Sequence, residues 1–122
     1  HDYSIFLRVL YNATYLSAPI SEQVVDLLTK VDYKNGLVAG VPADVLVAHK
    51  FGLLSEMDKR ASLVVGRQLH DCGIVYHPKS PYILCVMTKS KAPIAEIEGF
   101  IKAVSSITYE AVDSLSGQGK KG

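Results

Sequence analysis

The chain has 122 residues, 48% hydrophobic and 20% charged, and 13 basic against 12 acidic side chains give a net charge of +1. That length suits one domain with a real core, and the composition is that of a globular rather than a disordered protein. The balanced charge supplies no basic field for nucleic acid, and no apolar stretch approaches the roughly 18 residues a membrane span needs.

Tyr3, Phe6, Leu7, Leu10, Tyr11 and Thr14 recur at helical spacing and predict an amphipathic helix over residues 2–15. No charged-then-apolar leader precedes it, so export is not read out by the sequence. A second helix is expected over 21–32, capped by Ser17 or Ser21, with Pro19 near its start and Glu22 in its first turn. Val24, Val25, Leu27, Leu28 and Val31 are expected to supply its buried face, and Asn35-Gly36 breaks the pattern as a turn. Residues 37–44 are apolar but punctuated by Gly40 and Pro42, which suits an extended connection.

A strand is expected over 45–52, a charged loop over 53–62 and a second strand over 63–76, bent at Gly66. His77-Pro78-Lys79-Ser80-Pro81 is a turn, because two prolines in five residues cannot continue a ladder. Residues 82–88 read as a third strand. Pro93 opens a last helix over 93–112, where its missing N–H costs nothing; Ile94, Ile97, Ile101, Val104, Ile107, Thr108 and Ala111 form one face. Residues 114–122 read as a flexible tail. Two helices, three strands and a long helix imply an α+β domain, an antiparallel sheet covered by helices.

Cys72 and Cys85 leave two readings open, a disulfide or two free thiols. A simple hairpin centred near Lys79 pairs Cys72 with Val86 and sets Cys85 beside Gly73, with the two thiols on opposite faces. Two free, buried cysteines are the expectation. His70 and Cys72 share a face, and His77 or Cys85 could join them. Spacing supplies only two ligands there, where a structural zinc needs four. Neither a metal nor a cofactor is expected.

The tetrapeptide His49-Lys50-Phe51-Gly52 ends the apolar run Val45-Leu46-Val47-Ala48. Alone, Lys-x-Gly reads as a solvated strand end. Its context is more specific: Gly40-Val41-Pro42, then the Lys-x-Gly strand, then Asp71-Cys72-Gly73-Ile74-Val75-Tyr76, then the terminal helix. This order, with two helices before it, resembles the C-terminal part of class A β-lactamases and penicillin-binding proteins of the serine β-lactamase superfamily. The resemblance covers residues 1–113.

The resemblance implies that Lys50 supplies a positive field for a substrate carboxylate and for a serine, and that Gly52 lets substrate approach the strand. By position, the N–H of Leu53 is the strand's donor to an oxyanion hole. His49 either lines the cleft or is a strand-end histidine. Phe51 departs from the family, which places a threonine or serine hydroxyl there to bind the substrate carboxylate; losing that charge-assisted bond costs about 1.5–3 kcal/mol.

Catalysis in the family also needs Ser-x-x-Lys and Ser-Asp-Asn. Ser4, Ser17 and Ser21 are followed at the third position by Leu7, Ile20 and Val24, and no Ser-Asp-Asn occurs. The family carries these motifs N-terminal to the region matched. The expectation is therefore the C-terminal part of a longer protein, with no catalytic residue in this chain. The full-length protein would act on β-lactam or peptidoglycan-like substrates and would be periplasmic or secreted. A non-catalytic binding or assembly domain is the alternative. The family's sheet has further strands from its N-terminal end, so either the missing N-terminal segment or self-association should cover the exposed edge.

Overall fold

The structure is a computed structural model and describes residues 2–118. Helices α1 (Asp2–Asn12) and α2 (Ala18–Thr29) come first, followed by a 3-10 turn at Leu37–Gly40. Strands β1 (Val47–Asp58), β2 (Leu63–Val75) and β3 (Tyr82–Ser90) follow, and α3 (Ile94–Gln118) closes the described chain. The strands form one antiparallel sheet in the order β1-β2-β3, so the α+β architecture is as expected.

Helix ends depart from the sequence expectation for local reasons. α1 stops at Asn12 because Ala13 takes a left-handed φ of 51°. The Ala13 N–H then bonds the Leu10 carbonyl, and the Thr14 N–H bonds that of Val9. That is a Schellman closure. α2 starts earlier than expected, with Ser17 at its cap and Pro19 in its first turn. Ser21 is not the cap; it is buried within the helix and bonds the Ser17 carbonyl through its N–H. α3 continues to Gln118, so residues 114–118 of the expected tail are helical and 119–122 lie outside the described residues.

Each face of the sheet packs its own core. Leu37, Val47, Leu69, Val75 and Val86 meet Ile97 and Ile101 of α3 on one side. Leu7, Ala48, Cys72 and Ile74 cluster on the other, with Val25 and Leu28 of α2 packed against them. The segment at 37–40, expected to be extended, coils into its 3-10 turn against α3. A Cβ on Gly40 would lie 2.5 Å from the Lys102 carbonyl oxygen, and the Ser105 hydroxyl donates to the Leu37 carbonyl at 2.7 Å.

Two strand expectations are corrected. β1 does not stop at Gly52; it runs to Asp58, through the first half of the expected charged loop, with a bulge at Glu56/Met57. The actual turn is short and holds Ser62 at a φ of 52°. The hairpin register also differs, because Cys72 stands directly opposite Cys85 rather than Val86. Shifting a register by one residue reverses which side chains share a face. The two cysteines thus lie on the same face and are joined as a disulfide, not left as free thiols.

Candidate functional site

Alternation along β1 sends Lys50 and Gly52 to the face covered by α1 and α2, and His49, Phe51 and Leu53 to the α3 face. Lys50 itself is exposed and, among the described residues, has no ion-pair partner. It stands on the same rung as Cys72 and Cys85. Beside it, a Cβ on Gly52 would meet nothing within 4 Å. The surface around that glycine is open in this chain.

The residues on either side of Lys50 are tied down behind the strand. His49 is fully buried and bonds Asp71 through Nδ1 at 2.8 Å; Asp71 is equally buried. The second Asp71 oxygen accepts the Leu37 N–H at 2.9 Å. A carboxylate can use both oxygens this way, so His49 Nδ1 carries the donated proton. Gly36 is required above this pair, since a Cβ there would collide with the Asp71 carboxylate. His49 was expected either to line the cleft or to sit at a strand end; the structure instead buries it within β1 as an anchor bonded to Asp71.

Phe51 is partly exposed and stacks on Tyr33 with ring centroids 4.2 Å apart. The Tyr33 hydroxyl donates to Glu98 of α3 at 3.2 Å. Burial, then the Glu98 carboxylate, hold the Tyr33 phenol well above its usual range, with Asp71 adding to the effect. It therefore stays neutral. Leu53 is exposed and faces Leu69 across the ladder. Lys50, Phe51, Gly52 and Leu53 thus form one accessible stretch of β1, with Lys50 and Gly52 on one face and Phe51 and Leu53 on the other. The sequence carries no signal for Tyr33 or Glu98 as partners, and Asp71 stands out in it only as the first residue of the Asp71–Tyr76 run. Among the described residues no His/Cys/Asp/Glu group could hold a metal.

Two clefts lie away from this stretch of β1. One of about 430 Å³ lies between α1 and α2 and is floored by Leu46 and Tyr76. Another of about 450 Å³ lies between the end of β3 and the start of α3. No helix among the described residues is long and apolar enough to cross a membrane.

A sequence model described as the β-lactamase enzyme family matches residues 1–112. Among solved structures, the chain is similar to a class A β-lactamase from Bacteroides cellulosilyticus DSM 14838, with 22% identity and a TM-score of 0.74 over 92% of this chain and 40% of that one. It is also similar to PBP-A, with 18% identity and a TM-score of 0.71 over 91% of this chain and 38% of that one. A PBP-A mutant solved as an acyl-enzyme complex with penicillin G gives 19% identity and a TM-score of 0.68, with the same coverage of 91% and 38%. No curated protein matches at a significant level. The chain spans about two fifths of the length of these structures, 38–40%, and at such identities the likeness establishes the fold.

Proposed function

The chain belongs to the β-lactamase enzyme family, and from that premise we propose that it supplies the Lys-x-Gly wall of a serine acyl-transfer site acting on β-lactams or D-alanyl peptides. The nucleophile belongs to a Ser-x-x-Lys in a longer parent chain. One observation carries the reading: Lys50 stands exposed on an outer strand, with no ion-pair partner among the described residues, while its neighbours His49 and Phe51 are anchored behind that strand.

In the proposed reaction the serine oxygen bonds to the substrate carbonyl carbon. The acyl C–N bond then breaks, and the departing nitrogen takes up the proton the serine gave away. Lys50 favours the negative charge that develops, and the Leu53 N–H would donate to the carbonyl oxygen as it becomes an oxyanion. Gly52 leaves room for substrate to lie along the strand. The Cys72–Cys85 disulfide supports a periplasmic or secreted location, where such bonds persist. The outer strands of the three-stranded sheet support pairing with the parent's N-terminal segment or, without it, self-association.

The test is the rate at which the parent protein gains a penicillin adduct, followed by intact mass. Lys50→Ala should slow acylation by roughly 100-fold or more, the scale of losing one electrostatic stabiliser. An unchanged rate would sink the assignment of Lys50. Residues 1–122 alone should gain no adduct. The second reading, a non-catalytic binding or assembly domain, draws on Phe51, which replaces the expected hydroxyl and is engaged with Tyr33. A parent protein that binds penicillin without ever forming an adduct would favour it.

A further inference from the structure

The Phe51 face of β1 is chemically unlike the Lys50 face. Phe51, Tyr33 and Leu53 present aromatic and aliphatic surface, and the residue across from Leu53 is Leu69. Behind that surface stand two carboxylates. Asp71 lies directly opposite Phe51 in the ladder, and Glu98 takes the Tyr33 hydroxyl proton in a hydrogen bond. The phenol therefore has no donor left for a ligand, and phenylalanine has none at all. Arg67, the basic side chain next along this face of β2, points its guanidinium to the Lys91 and Ala92 carbonyls at 3.4 and 3.1 Å. An anion bound on this face would lose its water, meet no free donor from these groups and face the field of Asp71 and Glu98, while the Lys50 side chain leaves β1 on the opposite face.

We propose that the site takes an acyl donor bearing an uncharged aromatic or apolar group where a β-lactam carries its carboxylate. The proposal deepens the acyl-transfer reading and rests on it. An ester or amide whose flanking group is a ring or an alkyl chain would cover the Phe51–Tyr33 stack and Leu53. Its carbonyl would still lie along β1 near Lys50 and the Leu53 N–H. With an ester donor the serine oxygen bonds to the acyl carbon, the acyl C–O bond breaks, and the alcohol leaves with the serine proton. Phe51 then acts as a specificity-determining residue, with Tyr33 holding its ring in place.

The test uses the full-length parent protein and one phenylacetylated depsipeptide ester in two forms, with its terminal carboxylate free and as the methyl ester. Acyl-adduct formation is followed by intact mass, which gives the same adduct from both. The methyl ester should acylate roughly 10-fold faster or more, and Phe51→Thr should shift the ratio toward the free acid by roughly 10- to 100-fold, the worth of a charge-assisted hydrogen bond. Faster acylation by the free acid in the unmodified protein overturns the inference while leaving the acyl-transfer reading intact. An unchanged ratio in Phe51→Thr overturns the role of Phe51. Absence of any adduct from both forms overturns the acyl-transfer reading and this inference with it. The ratio in the unmodified protein needs no variant to fold.

Discussion

His49–Asp71 and His77–Asp113 are the same two residue types at almost the same separation, 2.8 and 2.9 Å, yet they do different physical work. In the first pair both side chains are wholly inaccessible, whereas Asp113 is 64% exposed. Asp71 also holds the Leu37 N–H, so one carboxylate joins β1, β2 and the turn against α3. Asp113 does nothing comparable. There the histidine is the organising group: its Nδ1 accepts the N–H groups of Lys79 and Ser80, leaving Nε2 to donate to Asp113. The buried pair fixes how the Lys50 strand sits on the domain; the half-exposed pair shapes a loop at the far end of the sheet.

The contrast can be broken most directly at Asp71. Replacing it with alanine strands a buried imidazole and an amide, and should cost about 3–5 kcal/mol in urea denaturation. A loss no larger than that of the corresponding Asp113 variant would remove the distinction. Gly36→Ala attacks the same pair from above by driving a methyl group into the Asp71 carboxylate. Overpacking of that kind costs about 1–3 kcal/mol, to be read as a lower melting temperature. Asp113→Asn should cost under about 1 kcal/mol by the same denaturation, because water already screens that carboxylate.

The smallest effect at neutral pH belongs to Tyr82, whose buried hydroxyl has no partner among the described residues. Tyr82→Phe should leave stability at pH 7 unchanged or slightly higher, since it removes an unsatisfied group. Burial, with a lesser push from Tyr109, raises the Tyr82 phenol from 10.0 to about 12. The unfolded chain therefore releases this proton first. Ionisation of Tyr82 thus leaves stability unaffected below pH 10 and lowers it as pH rises through about 12. Denaturation curves taken across that window should fall less steeply for Tyr82→Phe, and identical slopes would discount the shift.

How much the sequence disclosed varied with how local the cause was. The α3 face was legible only in part: Ile97 and Ile101 obey one helical period and are buried, whereas Ile107, expected on the same face, is 67% exposed. The far half of β1 was not legible. Ser55, Glu56, Asp58 and Lys59 look like a loop, and the strand there is exposed on both faces, so no alternation of apolar and polar residues records it. The disulfide was hidden by one residue of register. The pairing is centred between Pro78 and Lys79 rather than on Lys79, and the loop there is tied by the Lys79 and Ser80 N–H groups to His77. At the site, the Lys50-Phe51-Gly52 element was visible as a motif. Its supports were not, because Tyr33, Asp71 and Glu98 come from three distant segments and meet only once the sheet and α3 have packed.

The Cys72–Cys85 bond divides the sheet into unequal seams. β2 and β3 are riveted together by a covalent link and cannot slide past one another while it lasts. β1 is fastened to β2 by ladder hydrogen bonds and, behind them, by the His49–Asp71 contact. Under mechanical load the sheet should therefore part first along the β1–β2 seam. The strand that carries the exposed lysine is the one joined to the sheet by non-covalent contacts alone.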